Sequence, residues 1–289
     1  MIPCSFGMNT NGRFPWIERK FNWHFKVPVE FNDLTERDIL FLASEYPWQL
    51  DEGFYKRIIH HLCNFPKRKI FGLFGYIFLR TEPEAVYQLY TNNFNPDPEK
   101  WLFNWLLKEP EGYKSIISHF KLNGTNYVSH TPGLRNITIE EFAEAEQFLD
   151  MMIKNQNLDP LENLCAVLFK PEFEVFQVDD CYKRAIAFEQ LNRELKIAVY
   201  LQYRAQRLYM INHNRKMFRK LNPESMAKKT DTWKDIINDL SNHFTDVSKV
   251  KKSLAWEVFE WIPHVNKRGK QMEEKLEAAR LKSQKHNTK

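Results

Sequence analysis

The chain holds few residues whose types could support chemistry, and the first group is a set of possible metal ligands. The stretch HHLC at 60–63 places three such side chains within four positions, with Cys4 and His24 elsewhere. Zinc sites usually present two local groups at fixed spacing, so that four ligands converge on one ion. Here a second group is missing, and Cys63 falls on the core-facing side of a predicted helix. We therefore interpret these residues as structural, and the sequence predicts no metal and no other cofactor.

Two pairs of adjacent acids form the second group. Glu140-Glu141 and Asp179-Asp180 could act as general acids or as metal ligands. Each pair stands at the start of a predicted helix, where carboxylates interact favourably with the positive end of the helix dipole. The sequence has no Gly-x-Ser-x-Gly pattern, and GLFG at 72–75 lacks the lysine of a phosphate-binding loop. The sequence therefore predicts a protein that is not an enzyme.

A third group interleaves basic and aromatic side chains between residues 200 and 220, a combination that single-strand nucleic-acid binding proteins use. The candidate contacts are Arg204, Arg207, Arg215, Lys216 and Arg219. The apolar residues of the same stretch, among them Tyr200 and Tyr203, recur near helical spacing. The alternative is therefore that the aromatic rings lie in the core and the basic residues form the solvated face.

The elements that must position these residues are mainly helices. Candidate caps at Asp33 and Thr35 precede acids and an apolar face of helical period, and the stretch from Asn136 repeats this arrangement. Thr35 lies 28 positions before Cys63, and Thr138 lies 27 before Cys165. This similarity suggests, as a hypothesis, a pseudo-repeat of helical pairs at 33–66 and 136–171 in a two-lobed body.

The sequence predicts a mainly α protein with at most a small β-hairpin near 120–129. Nine glycines are few for a β-sandwich or barrel, while Asn123-Gly124 between alternating apolar residues is a strong hairpin signal. The predicted divisions are an irregular N-terminal arm at 1–30, an N-terminal helical lobe at 31–130, a central helical lobe at 131–222, a C-terminal helical pair at 230–262 and a basic polar tail at 263–289.

Charge and hydropathy favour a soluble intracellular protein. Residues 267–289 hold eight Lys or Arg and three Glu, so this stretch accounts for the whole net charge of +5. The tail is either a solvated helix or a basic arm for a partner.

The longest apolar run, at 69–80, is much shorter than the roughly 20 residues that span a bilayer, so we expect no membrane contact.

The C-terminal helical pair is rich in large apolar side chains, which two short helices cannot bury by themselves. Either the pair folds back on the rest of the protein, or it presents an apolar surface to a partner. The candidate partner-binding residues are Trp233, Ile237, Trp256, Phe259 and Trp261.

Several stretches resemble a family of helical proteins of Bacteroidetes phages and prophages. They are FNDLT at 31–35, NITIEEFAEAEQFLD at 136–150, LENLCAVLFKP at 161–171, WKDIINDLS at 233–241 and WEVFEWI at 256–262. Members lie among tail-morphogenesis genes and are treated as tail-assembly-chaperone-like. The resemblance implies a non-enzymatic protein of the bacterial host cytoplasm, or of the virion, that binds the tape-measure protein while the tail tube forms. Such a role requires an apolar groove that accepts an amphipathic helix.

Two other functions remain open at this point. A virion structural component, such as a connector or baseplate part, would use the same helices for permanent contacts. A nucleic-acid-binding protein would use the 200–220 helix and the basic tail, and its affinity would fall steeply with salt.

Overall fold

A computed structural model describes residues 2–11, 18–47, 70–72, 75–77, 109–214 and 246–262, with isolated positions at 54, 57–58, 61–62, 105, 233, 237–238 and 240–241. The chain divides into two compact units, one of residues 1–117 and 190–208 and the other of residues 118–189 and 209–289. The described part is mainly helical with a small three-stranded antiparallel sheet, which confirms the predicted fold class. Each unit combines two stretches of sequence, whereas the predicted lobes are contiguous.

The first unit begins with an antiparallel hairpin. Strand β1 (Ile2–Asn11) pairs with β2 (Glu18–Val27), and Ile2 stands opposite Val27. The arm predicted to be irregular over 1–30 therefore contains two regular strands. The sequence carries the signal, because residues 21–27 (FNWHFKV) alternate apolar and polar side chains with the period of a strand. A second, short hairpin joins β3 (Ile70–Gly72) to β4 (Gly75–Ile77).

The predicted cap at Thr35 starts helix α1 (Glu36–Ser44), after a 3-10 turn at Phe31–Asp33. The Thr35 hydroxyl accepts from the Asp38 amide at 3.3 Å, and the Asp38 carboxylate accepts from the Thr35 amide at 2.9 Å. Two amides that the first turn leaves unpaired are thus satisfied reciprocally. The other candidate cap, Asp33, accepts from the Val29 amide instead.

Helix α5 (Arg193–His213) holds an extended segment of the first unit with two buried glutamines. The Gln202 side chain accepts from the Ile117 amide at 2.7 Å and donates to the Ile117 carbonyl at 3.1 Å. One turn later, the Gln206 amide donates to the Tyr113 carbonyl and to the Ser115 hydroxyl. Residues 109–117 belong to no strand of the described structure, so the glutamines supply hydrogen bonds that a strand would receive from its neighbour.

The second unit contains helices α2 (Ile139–Asn155), α3 (Leu161–Leu168) and α4 (Val178–Phe188). Its sheet contains β5 (His119–Leu122), β6 (Thr125–Ser129) and β7 (Phe169–Pro171), in that order and all antiparallel. Asn123 and Gly124 both have positive φ, as a type I′ turn requires, which confirms the predicted hairpin. The prediction did not include β7, which pairs with β6 and places Phe169 opposite Ser129.

Aromatic side chains join the sheet to helix α4. The ring of Phe120 lies 4.9 Å from that of Phe169 and 5.4 Å from that of Phe188, and Tyr127 meets Phe188 edge-on at 4.9 Å. Phe169 and Phe188 are fully buried. Because aromatic side chains bury large apolar areas, this cluster forms the centre of the core between the sheet and the helix.

The C-terminal part of the second unit is fastened to the start of α2. Helix α6 (Val247–Lys252) is followed by an isolated β-bridge between Thr138 and Leu254, and residues 255–262 are helical. The Ile139 amide donates to the Ser253 carbonyl, and the Ala255 amide donates to the Ile137 carbonyl, both at 2.9 Å. This segment is therefore part of the second unit. The hypothesis of a pseudo-repeat stays a prediction, because most of residues 48–66 lie outside the described residues.

Replacement of Gln202 by alanine should destabilise the first unit strongly. The variant leaves the buried amide and carbonyl of Ile117 without their partners, and we expect a loss of about 2 kcal/mol in the free energy of unfolding. Urea denaturation of the two proteins measures the difference. The exposed Gln147→Ala variant is the control and should change by less than about 0.5 kcal/mol. A loss at Gln202 as small as the control's would contradict the assigned role.

Candidate partner-binding surface

Three of the five predicted partner-binding residues, Trp233, Ile237 and Phe259, are buried in the second unit or pack against its core. The Phe142 ring on α2 meets Trp233 at 5.0 Å and Phe259 at 5.2 Å, both edge-on. Ile237 and Phe259 are buried. Of the two alternatives for the C-terminal segment, the structure therefore shows the one in which it folds back, and these side chains are not a free partner surface.

The other two predicted residues, Trp256 and Trp261, differ in their surroundings. Trp256 is half-buried, its indole N–H donates to the Gly133 carbonyl at 3.0 Å, and the Arg135 guanidinium lies 5.1 Å from the ring centroid. Trp261 is 54% exposed. Trp256 is thus held by a hydrogen bond and a cation–π contact, and of the five only Trp261 presents most of its side chain to solvent.

The candidate nucleic-acid residues that the structure describes are Arg204 and Arg207, both half-buried on α5. Arg204 lies over the Tyr200 ring at 5.6 Å and pairs with Glu109 at 3.7 Å. Tyr200 and Tyr203 are buried, so these two rings belong to the core of the first unit, as the alternative interpretation has it. Arg215, Lys216 and Arg219 lie outside the described residues.

The described part of the possible metal group is engaged within the first unit. His61 pairs with Asp38 at 3.2 Å and stacks on Phe41 at 3.9 Å, while His60 and Cys63 lie outside the described residues. Within the part of the chain that the structure describes, no three or more His, Cys, Asp or Glu side chains cluster as a metal site would require.

The predicted acid pair at 140–141 joins three elements of the second unit. Glu141 is buried; one of its oxygens pairs with Lys170 at 2.7 Å, and the other accepts from the Thr138 amide at 2.8 Å. Glu140 pairs with Lys251 at 2.9 Å. Burial by itself would raise the pKa of Glu141, but His130, Lys170 and the Thr138 amide together lower it. The pair therefore has a structural role at the start of α2.

A surface that the sequence did not single out lies between residues 173 and 186, which we call the surface segment. It holds four exposed apolar side chains: Phe173, Val175, Tyr182 and Ile186. Exposed apolar residues are ordinary when scattered singly, but a group of them is typical of interaction sites. Their sequence signal is the alternation of acidic and apolar residues in EFEVF at 172–176, which resembles an ordinary loop.

The most exposed member, Phe173, occupies an unfavourable backbone conformation. It is 95% exposed and has φ +67°, in a turn that the Glu174 amide closes on the Pro171 carbonyl at 3.1 Å. A residue with a Cβ in this left-handed region costs about 1 kcal/mol, and glycine or asparagine is usual there. Phe173 thus lowers stability locally without burying its ring.

A buried arginine holds this turn in place. Arg184 on α4 donates from Nε and Nη2 to the Ala166 carbonyl on α3, at 3.2 and 3.1 Å, and its Nη1 pairs with Glu174. Arg184 is 7% exposed, so these charge-assisted bonds satisfy a guanidinium that is out of water. Arg184 therefore connects the turn, through Glu174, to helix α3, through Ala166.

Helix α4 separates its buried and exposed residues cleanly. Cys181, Arg184, Ala185 and Phe188 face the core, and burial raises the pKa of Cys181 to about 11, which keeps this thiol protonated. Tyr182 and Ile186, four positions apart, lie together on the outer face. The outer face of α4 thus carries an apolar pair on an otherwise polar helix surface.

Comparisons with protein-family models, curated proteins and solved structures give no match for this chain. None of the helices in the described part of the chain combines the length and the hydrophobicity that a membrane span requires.

His130 should make the second unit sensitive to mild acid. The side chain is fully buried, and burial lowers its pKa; the charge of Lys170 acts in the same direction and that of Glu141 opposes it. The unfolded chain therefore binds the proton at a higher pH than the folded one, and stability falls as the pH drops below about 6.5. Urea denaturation between pH 7.5 and 5.5 measures this fall.

The matched variants for this experiment are His130→Gln and His119→Gln, since His119 is exposed. The first should show a shallower fall with pH than the wild type, because glutamine does not titrate. The second should keep the wild-type dependence. Equal slopes in all three proteins would mean that other groups cause the acid sensitivity.

Proposed function

We propose that this protein is a non-enzymatic assembly protein that binds a helical partner through the surface segment. The observation that carries the proposal is the set of four exposed apolar side chains on a firmly held turn and helix. Burial of one large apolar side chain contributes about 1.5–3 kcal/mol, so these four side chains can supply the apolar centre of a contact. In the free protein these side chains are exposed to water, which is unfavourable for apolar groups.

The geometry of α4 fits a helical partner. Tyr182 and Ile186 form a ridge along the outer face, and such ridges pack into the grooves of another helix. Tyr182 also covers Phe148 of α2 edge-on at 6.4 Å, so its ring is backed by the core. An amphipathic helix that lies along this ridge would bury both side chains.

The resemblance to tail-assembly-chaperone-like proteins supports a place in phage tail morphogenesis. In that role the partner is the tape-measure protein, a long helical chain that aggregates until tail-tube subunits cover it. A chaperone must release its client, which a small apolar surface permits more readily than a large one. We therefore propose the tape-measure protein as the partner and the host cytoplasm as the place of action.

Co-expression with a tape-measure protein of a Bacteroidetes phage tests the proposal. We expect the partner to become soluble and to be retained by the tagged chain in a pull-down. If the partner stays insoluble and is not retained, the chaperone function is wrong. Detection of the chain in purified virions at fixed stoichiometry would instead indicate a structural component.

Two isoleucines of the second unit provide matched variants for the same assay. Ile186 on α4 and Ile153 on α2 are 68% and 62% exposed, so substitution by serine costs each helix about the same. Ile186→Ser should reduce the fraction of soluble partner, because it removes part of the ridge. Ile153→Ser should leave it unchanged, and equal effects would contradict a specific role of α4.

A further inference from the structure

We infer that the surface segment takes a basic amphipathic helix and that Phe173 is its anchor. The inference deepens the proposed function and rests on it only for the biological identity of the partner. It combines three observations on the second unit: the strained display of Phe173, the charge around it, and the ridge on α4.

Phe173 is placed where a stability-optimised sequence would have glycine or asparagine. The turn needs positive φ at this position, and the ring gains nothing from burial within the described part of the unit. Strained residues that the surroundings hold firmly are characteristic of functional sites. The buried Arg184 supplies that firm hold through Glu174 and Ala166. A rigid, fully exposed aromatic ring has the properties of an interface anchor.

The stretch of chain that contains the anchor carries a net negative charge. Residues 171–189 hold five acids and two bases, a net charge of −3. Both bases are paired, Lys183 with Asp180 and Arg184 with Glu174. The exposed acids Glu172, Asp179 and Glu189 form no ion pair with any other described residue. Exposed acids close in sequence to exposed apolar side chains are complementary to a helix whose apolar stripe is flanked by Lys or Arg.

The acids also lie at the correct places on α4 for this partner. Asp179 and Glu189 precede and follow the ridge of Tyr182 and Ile186 on the outer face of the helix. A partner helix that covers the ridge brings its flanking residues over these carboxylates. Basic side chains there gain favourable contacts, whereas acidic ones meet like charges.

The experiment uses the 289-residue chain and two synthetic peptides of about 18 residues, or five helical turns. Both have leucine at i, i+3, i+4 and i+7, with lysine at the remaining positions of one and glutamate at those of the other. Fluorescence anisotropy should show binding of the Leu/Lys peptide, weakened by added salt, and none of the Leu/Glu peptide. Equal binding of both peptides would overturn the inferred charge preference.

Phe173→Gly separates binding from folding. Glycine relieves the strain at φ +67°, so the variant should unfold at a higher Tm than the wild type and yet bind the Leu/Lys peptide about tenfold more weakly. Ile186→Ser should also weaken binding, and Ile153→Ser should not. Unchanged affinity of Phe173→Gly would remove Phe173 as the anchor.

Other occupants of the surface have distinct outcomes. A dimer of the wild type that Phe173→Gly dissociates would assign the surface to a second copy, and competition by a synthetic peptide of residues 263–289 would assign it to the chain's own tail; each result overturns the inference. If the wild type and Phe173→Gly solubilise the tape-measure protein equally well, the proposed function is supported and Phe173 is not the anchor. If Phe173→Gly loses peptide binding but the wild type does not solubilise the tape-measure protein, the anchor is confirmed and the proposed function is wrong.

Discussion

The packing of the second unit depends on the hydrogen bonds and the ion pair that two residues at the start of helix α2 form. Thr138 and Glu141 satisfy each other's backbone amides, and the same two residues connect the helix to its neighbours. Thr138 forms the β-bridge with Leu254, and the Glu141 carboxylate pairs with Lys170 at the edge of the sheet. A buried carboxylate is costly unless it is paired and hydrogen-bonded, and here both conditions are met. The surface segment follows the same short strand, β7, so its position depends on this turn.

Local rules of sequence predicted the features that local interactions determine. The caps at Thr35 and Thr138 and the Asn123-Gly124 turn each depend on residues within four positions, and each is present. Strand β7 could not be predicted in this way, because its three residues form a strand only by pairing with β6, some forty positions earlier. The N-terminal hairpin was predictable from alternation alone, yet the mixture of Pro, Gly and aromatic residues around it obscured the pattern.

The candidate surface was harder to predict from the sequence than the fold was. Trp233, Phe259 and Ile186 are all large and apolar, and composition cannot tell which of them a tertiary contact will cover. The two rings meet Phe142 in the core, while Ile186 faces solvent because Arg184 and Phe188 occupy the inner face of the same helix. No sequence pattern predicts that Phe173 has a positive φ angle. Burial and backbone strain are properties of the folded chain, and here they identify the surface.

The division of helix α5 between the two units has a consequence for biosynthesis. Residues 193–208 complete the first unit, and their glutamines hold the segment that ends at Ile117. The ribosome therefore releases most of the first unit long before the part that satisfies its buried backbone. Until residue 208 has emerged, that segment stays exposed, and intervening residues 118–189 can begin to fold first. A truncated chain therefore contains the complete first unit only if it also includes residues 118–189, which belong to the second unit.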